Sequence, residues 1–210
     1  QAAAFPDSAC TAFKGVRAAG QVQPNQKVLI IGAGGGVGSF AVQIAKALGA
    51  EVTGVCSSSK IEFVRSIGAD DAIDYTREDF AEKGQRFDVI IDTAGNRSLS
   101  HLRRGLAPRG TLVIIGGEGG GRWFGVGRQL RAFVLAPFVR QTLRSPVYLE
   151  HSRQDLEDVA RLVEAGKMMP VVDRTFRLGD AADAVRHWEK GHTRGKLVIS
   201  VRSEDESSTQ

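Results

Sequence analysis

Residues 27–50, KVLIIGAGGGVGSFAVQIAKALGA, constrain the fold more than any other stretch of the chain. An apolar run breaks at a cluster of glycines. A helical pattern follows at once, with Val37, Phe40, Ala41, Ile44, Ala45 and Leu48 on one face. Gly49 stands where a helix C-cap residue is expected. A strand that is apolar on both faces belongs inside a parallel sheet, and such a sheet needs helices on each face to carry the chain back.

The rest of the chain repeats the alternation. EVTGVC (51–56), DAIDY (71–75), FDVIIDTAG (87–95) and TLVIIGG (111–117) read as strands. SKIEFVRSIG (59–68), REDFAEKG (77–84) and LSHLRRGLAP (99–108) read as the helices between them. The stretch 116–127 is too glycine-rich for regular structure. It is followed by a helix over 128–143, kinked near Pro137. PVYLE (146–150) is expected as a sixth strand, and 153–167 as an amphipathic helix. A strand (170–178), a helix (181–191) and a strand (195–201) complete the pattern. The predicted class is α/β, a doubly wound, mostly parallel Rossmann sheet of six strands over residues 1–167. A C-terminal segment, 168–201, follows it, and 202–210 read as a disordered acidic tail.

Composition narrows the function classes. The chain has 210 residues and a net charge of +4. Its charges are spread, apart from 119–149, which holds five arginines and no acid, so nucleic acid is not expected as the partner. No apolar run reaches the roughly 20 residues of a membrane span. The first residues lack the basic start and long apolar centre of a signal peptide. Cys10 and Cys56 form no metal-ligand or disulfide pattern, and a cytoplasmic location is expected.

The glycine turn points to a ligand. Gly32 to Gly38 leave a strand and open a helix, which aims free backbone N–H groups and the positive end of a dipole at one spot. Without Cβ atoms a pyrophosphate can approach the backbone closely. A dinucleotide is therefore expected there. The end of the second strand faces the adenosine ribose in such folds, and an acid there selects NAD. This chain has Cys56-Ser57-Ser58-Ser59-Lys60 instead. Hydroxyls and a cation suit a 2′-phosphate, hence NADP(H). The plainer alternative is that one serine simply caps a helix.

With these motifs on the page, the chain resembles the zinc-independent quinone oxidoreductases of the medium-chain dehydrogenase/reductase superfamily. VLIIGAGGGVGSFAVQIAKALGAEVTGVCSS, IGADDAIDY, FDVIIDTAG and GHTRGKLVIS carry the resemblance. It implies an NADPH-dependent enzyme that reduces quinones or enones. It places Gly34, Gly35, Gly36 and Val37 at the pyrophosphate, Ser57 and Lys60 at the 2′-phosphate, and Tyr75 beside that phosphate and the adenine. Thr93 and Ala94 would lie under the ribose and nicotinamide, Gly116 and Gly117 at a nicotinamide-side turn, and His192, Thr193 and Arg194 in a late loop reaching the cofactor. Trp123 and Phe124 could line a substrate cleft or anchor the glycine-rich loop.

The family is built from two domains, and only 31 residues precede Gly32 here. The chain is thus expected to be the nucleotide-binding C-terminal portion of a longer enzyme, with apolar surface on 168–201 left open. No metal site is expected: Asp7 and Cys10 have no partners at ligand spacing. No catalytic residue stands out, which suits hydride chemistry supplied by a cofactor. A non-catalytic NADPH-binding sensor or interaction module is the competing reading. A homodimer through the edge of PVYLE is also expected.

Overall fold

The computed structural model describes residues 5–82, 84–116, 126–145 and 152–201. Its centre is a six-stranded parallel sheet in the order β3-β2-β1-β4-β5-β6. The strands are β1 (Lys27–Ile31), β2 (Glu51–Cys56), β3 (Asp71–Asp74), β4 (Phe87–Asp92), β5 (Leu106–Ile114) and β6 (Thr142–Arg144). Around them lie α1 (Pro6–Phe13), α2 (Gly36–Ala47), α3 (Ile61–Ser66), α4 (Leu99–Gly105), α5 (Val126–Leu135) and α6 (Arg153–Glu164). The chain closes with β7 (Val172–Arg177), α7 (Ala181–Glu189) and β8 (Lys196–Ser200), where β7 and β8 pair as a separate parallel ribbon.

The strict alternation of side chains along a strand builds two apolar layers. Val28 and Ile30 of β1 and Val89 and Ile91 of β4 join Phe40, Ile44 and the α1 side on one face. Leu29, Ile31 and Ile90 join Phe80, Phe87 and Leu102 on the other. The central strands are buried on both faces, as their unbroken apolar runs require.

Four local features differ from the sequence reading. Residues 77–82 of REDFAEKG form turns, not a helix. Asp74 Oδ1 takes the N–H of Thr76 at 2.9 Å, and Asp79 Oδ1 takes that of Ala81 at 2.9 Å. These short polar side chains capture the backbone locally, and buried Phe80 pins the turn to the core. The helix expected over 128–143 ends at Leu135. Pro137 lies in the 3₁₀ turn Ala136–Phe138, and the chain then becomes β6. The sixth strand is therefore 142–144, upstream of PVYLE. Residues 146–150, on which the expected dimer edge was placed, lie outside the described residues.

The fourth difference is α1, which the pattern gave no reason to expect. Pro6 starts it, and Ser8 to Ala12 are all buried, so no amphipathic stripe marks it. It runs on into a π-helical stretch, Lys14–Ala19, and packs on α2 and α6. A 3.1 Å ion pair from Lys14 to Asp155 ties it to α6, whose own start is fixed by a reciprocal Ser152–Asp155 capping box.

The C-terminal segment 168–201 exposes much apolar surface: Met169, Leu178, Val185, Trp188 and Val201 are each more than half exposed.

Candidate functional site

The sheet order reverses between β1 and β4, so the loops that follow these two strands part and leave a crevice at their carboxyl ends. Gly32 turns the chain out of β1 at φ +83°, a conformation that favours glycine. The N–H groups of Gly32 and Ala33 both donate to Val55 O of β2, at 3.0 and 3.1 Å. The helix then enters against the turn: a Cβ on Gly38 would lie 2.1 Å from Gly32 O. The glycines at 32 and 38 thus make the turn possible. Across the crevice, Thr93 is held by its N–H and hydroxyl, both donating to Ile31 O, at 3.0 and 2.7 Å.

A groove of about 890 Å³ opens over this turn. Gly34, Gly35, Gly36, Val37, Ser57, Lys60, Tyr75, Thr93, Ala94 and Thr193 all line it. Three expected residues do not. His192 is exposed on the late loop. Arg194 donates to Ser59 O at 3.1 Å. Gly116 is needed by the backbone, since a Cβ there would lie 2.3 Å from Thr93 O. Gly117, Trp123 and Phe124 lie outside the described residues.

The serine cluster does not behave as a helix cap. Ser57 precedes the 3₁₀ turn Ser58–Lys60 in extended conformation, and its side chain makes no capping bond. Its hydroxyl instead pairs with that of Ser59 at 3.3 Å. Ser58 donates to Asp74 Oδ2, and Thr76 donates its hydroxyl to Asp74 Oδ1 at 2.7 Å. The Ser58 and Thr76 bonds hold the Asp74 carboxyl below the usual range. Asp74 is the nearby acid, and it does not line the groove.

Lys60 is the groove cation at the end of β2, while Arg97 and Lys196 line other parts of the groove. Its stem lies against Gly34, where a Cβ would sit 2.7 Å from Lys60 Cδ. Its ammonium donates to Gly191 O at 3.0 Å and Thr193 O at 2.6 Å. Burial pushes the Lys60 pKa below its ordinary value. Cys56, also on the groove, is a buried thiol pushed up to about 11 by desolvation.

Sequence reading missed Ser8, Asn96, Arg97, Trp188, Glu189 and Lys196, which also line the groove. Arg97 follows the fourth strand and carried a signal, a cation beside a strand end. Lys196 stood inside the quoted GHTRGKLVIS, but only the return of the chain to the start of α2 sets it there. Its ammonium donates to the hydroxyl of buried Ser8 at 2.8 Å. Its Cδ lies 3.1 Å from where a Cβ on Gly36 would be.

A family described as zinc-binding dehydrogenase matches residues 67–199. The chain belongs to that family. The zinc-binding dehydrogenase match runs from the residue after α3 into β8. A second description, the C-terminal domain of alanine dehydrogenase/PNT, matches residues 3–96, which hold the glycine turn. The bovine (Bos taurus) NAD(P)H oxidoreductase RTN4IP1, mitochondrial, is 36% identical over 96% of this chain and 55% of its own length. The 2-methylene-furan-3-one reductase of Solanum lycopersicum is 31% identical over 95% of this chain and 46% of its own. Among solved structures, the quinone oxidoreductase from Coxiella burnetii superposes with a TM-score of 0.79 at 29% identity, covering 96% of this chain and 61% of that one. The chain therefore spans about half the length of the curated relatives it matches.

Among the described residues, no group of three or more His, Cys, Asp or Glu could hold a metal ion. Nor is any described helix long and apolar enough to cross a membrane. The mitochondrial description belongs to the relatives; the cytoplasmic expectation rests on this sequence alone.

Proposed function

We propose that this chain is the cofactor-holding part of an oxidoreductase that takes NADPH in preference to NADH and serves reduction of a quinone or an enone. The observation that carries the reading is the end of β2. Ser57, uncommitted to a helix cap, and Lys60 line the groove there, while Asp74, the acid at that end, does not; the carboxylate that does line it, Glu189, comes from α7. The groove fits a dinucleotide on its own terms: a turn stripped of Cβ atoms, the amino end of α2, and a buried hydroxyl, Thr193 Oγ1, with no hydrogen-bond partner.

Each residue then has a physical task. The turn Gly34–Gly36 and Val37 present N–H groups to the pyrophosphate. Ser57 and Lys60 receive the 2′-phosphate, and half-exposed Tyr75 offers a ring to the adenine. Thr93 and Ala94, fixed by their bonds to β1 and Asp92, form the wall under the far ribose. When bound, the nicotinamide supplies the hydride. The protein contributes position and charge. The names of the relatives, which include quinone oxidoreductases and an enone-type reductase, support the substrate class.

Titration calorimetry with NADPH and NADH tests the cofactor preference. A turnover assay with quinone and enone acceptors, read by loss of reduced nicotinamide, tests the reaction. Equal affinity for the two cofactors would overturn the NADPH reading.

A further inference from the structure

α5 turns its strongest apolar side away from the core. Ala132 is buried, and Ala132 and Leu135 pack on the layer that holds Leu99, Leu102 and Leu112. Leu130, Phe133 and Val134 stand at i, i+3 and i+4, within an arc of about 100° on the opposite side of the helix. They are 63%, 78% and 58% exposed. Phe138, in the 3₁₀ turn that follows, is 82% exposed and continues the ridge. A helix resting on a protein core ordinarily does the reverse and buries such a stripe. Large apolar side chains standing singly on a surface need no explanation, but a continuous ridge of them marks a contact surface.

The charge around the ridge has one sign. The stretch 119–149 carries five arginines and no acid. Arg144 is engaged, donating to Ala19 O at 2.7 Å. Arg131, beside the ridge on α5, and Arg140, just past Phe138, are exposed and make no ion pair among the described residues. These two features select the occupant. A second copy of this face would bring apolar side chains but would set arginine against arginine, with no carboxylate from the same stretch to receive either. An anionic bilayer surface supplies both needs: an acyl boundary for the phenyl rings and phosphates for the guanidinium groups. With 10 residues, about 15 Å of helix, α5 is too short to cross a bilayer and fits it only by lying in its plane.

We infer that α5 and the turn after it form an interfacial helix by which the chain rests on an anionic lipid surface, with Leu130, Phe133, Val134 and Phe138 in the acyl boundary and Arg131 and Arg140 at the phosphates. One short helix of this kind gives reversible, salt-sensitive attachment. No described residue of α5 lines the groove, so this surface and the cofactor reading stand independently.

Co-sedimentation of the whole chain with vesicles tests the assignment. Binding is expected to vesicles of phosphatidylcholine mixed with phosphatidylglycerol, falling as salt is raised, and only weakly to phosphatidylcholine alone. Arg131→Gln and Arg140→Gln should each weaken the partition about fivefold, which corresponds to about 1 kcal/mol for each charge at the surface. Phe133→Ser combined with Phe138→Ser should weaken it about tenfold or more, with no fall in the thermal midpoint, because both rings are already exposed. If that double variant unfolds, the arginine variants decide. Leu178→Ser combined with Val185→Ser removes exposed apolar side chains of the C-terminal segment and should leave binding within about twofold. Absence of vesicle binding, equal binding to neutral and anionic vesicles, or full binding by the α5 variants overturns the inference. So does an equal loss in the Leu178 and Val185 variant, which would show general adhesion of apolar surface. A native dimer that ignores vesicles and becomes a monomer in the Phe133 and Phe138 variant gives this face to a second copy, and that too overturns it.

Discussion

The ammonium of Lys60 lies 2.6 Å from the carbonyl oxygen of Thr193, a residue 133 positions later in the chain. This contact joins the turn after β2 to the loop before β8 across the groove. Under the proposed NADPH reading, the same ammonium would also meet the 2′-phosphate.

Lys60→Ala should therefore weaken NADPH by about 1.5–3 kcal/mol, the range for a hydrogen bond to a charged group. NADH should be nearly unaffected. The measured loss should fall toward the lower figure, because binding also costs the native chain its two carbonyl contacts. Calorimetry on both cofactors reads this directly; parallel weakening of the two would assign Lys60 to the loop before β8 alone.

Ser57→Asp should erase or reverse the preference for NADPH. A carboxylate about 4 Å from a 2′-phosphate costs about 4 kcal/mol per unit charge at an effective dielectric near 20. The same carboxylate accepts hydrogen bonds from the ribose hydroxyls of NADH. A ratio of the two dissociation constants that does not move would remove Ser57 from the phosphate site.

Gly38→Ala should damage fold and binding together. Its Cβ would meet Gly32 O at 2.1 Å, and this neighbour is backbone that cannot swing aside. Overpacking of this kind costs about 1–3 kcal/mol or more. Denaturant unfolding should show a lower midpoint, and the cofactor should bind more weakly even at temperatures where the variant is folded.

Acid stability should depend on Asp70. Burial works to raise its pKa, but the Lys46 ammonium at 2.7–2.8 Å and the Val52 N–H at 2.7 Å outweigh it and hold the carboxyl below its ordinary value. A carboxyl depressed in the folded state contributes stability above its unfolded pKa, about 3.9, and loses it as pH falls toward the folded value. Stability curves at pH 6 down to pH 3 should therefore fall more steeply for the native chain than for Asp70→Asn. Parallel curves would show that the pair contributes nothing.

Neither cysteine should react with iodoacetamide at pH 8 while the chain is folded. Both are buried, and burial raises both thiols, Cys56 to about 11, so the reactive thiolate is scarce. Mass spectrometry should find two modified sites only after unfolding.

Much of this was legible before any coordinates. Strands with two apolar faces, such as Val28–Ile31 and Val89–Ile91, have one solution, a covered parallel sheet, and the glycines between β1 and α2 follow from the close approach of helix and turn. The errors lie where a local signal was misread. Asp74 and Asp79 offered the backbone side-chain partners and broke an expected helix. Pro137 ended a helix that was expected only to kink. α1 went unseen because a helix buried all round carries no stripe.

The sequence by itself determined the layers, the first five strands and the glycine turn. These depend on periodicity and backbone freedom, which act over a few residues. The tertiary structure decided what faces that turn from afar. Nothing near Lys60 in sequence foretells the carbonyls of Gly191 and Thr193, and nothing near Lys196 foretells Ser8, 188 residues away. Nor could the pattern show that the Thr193 hydroxyl has no partner, because whether a polar atom is satisfied depends on every chain segment packed around it.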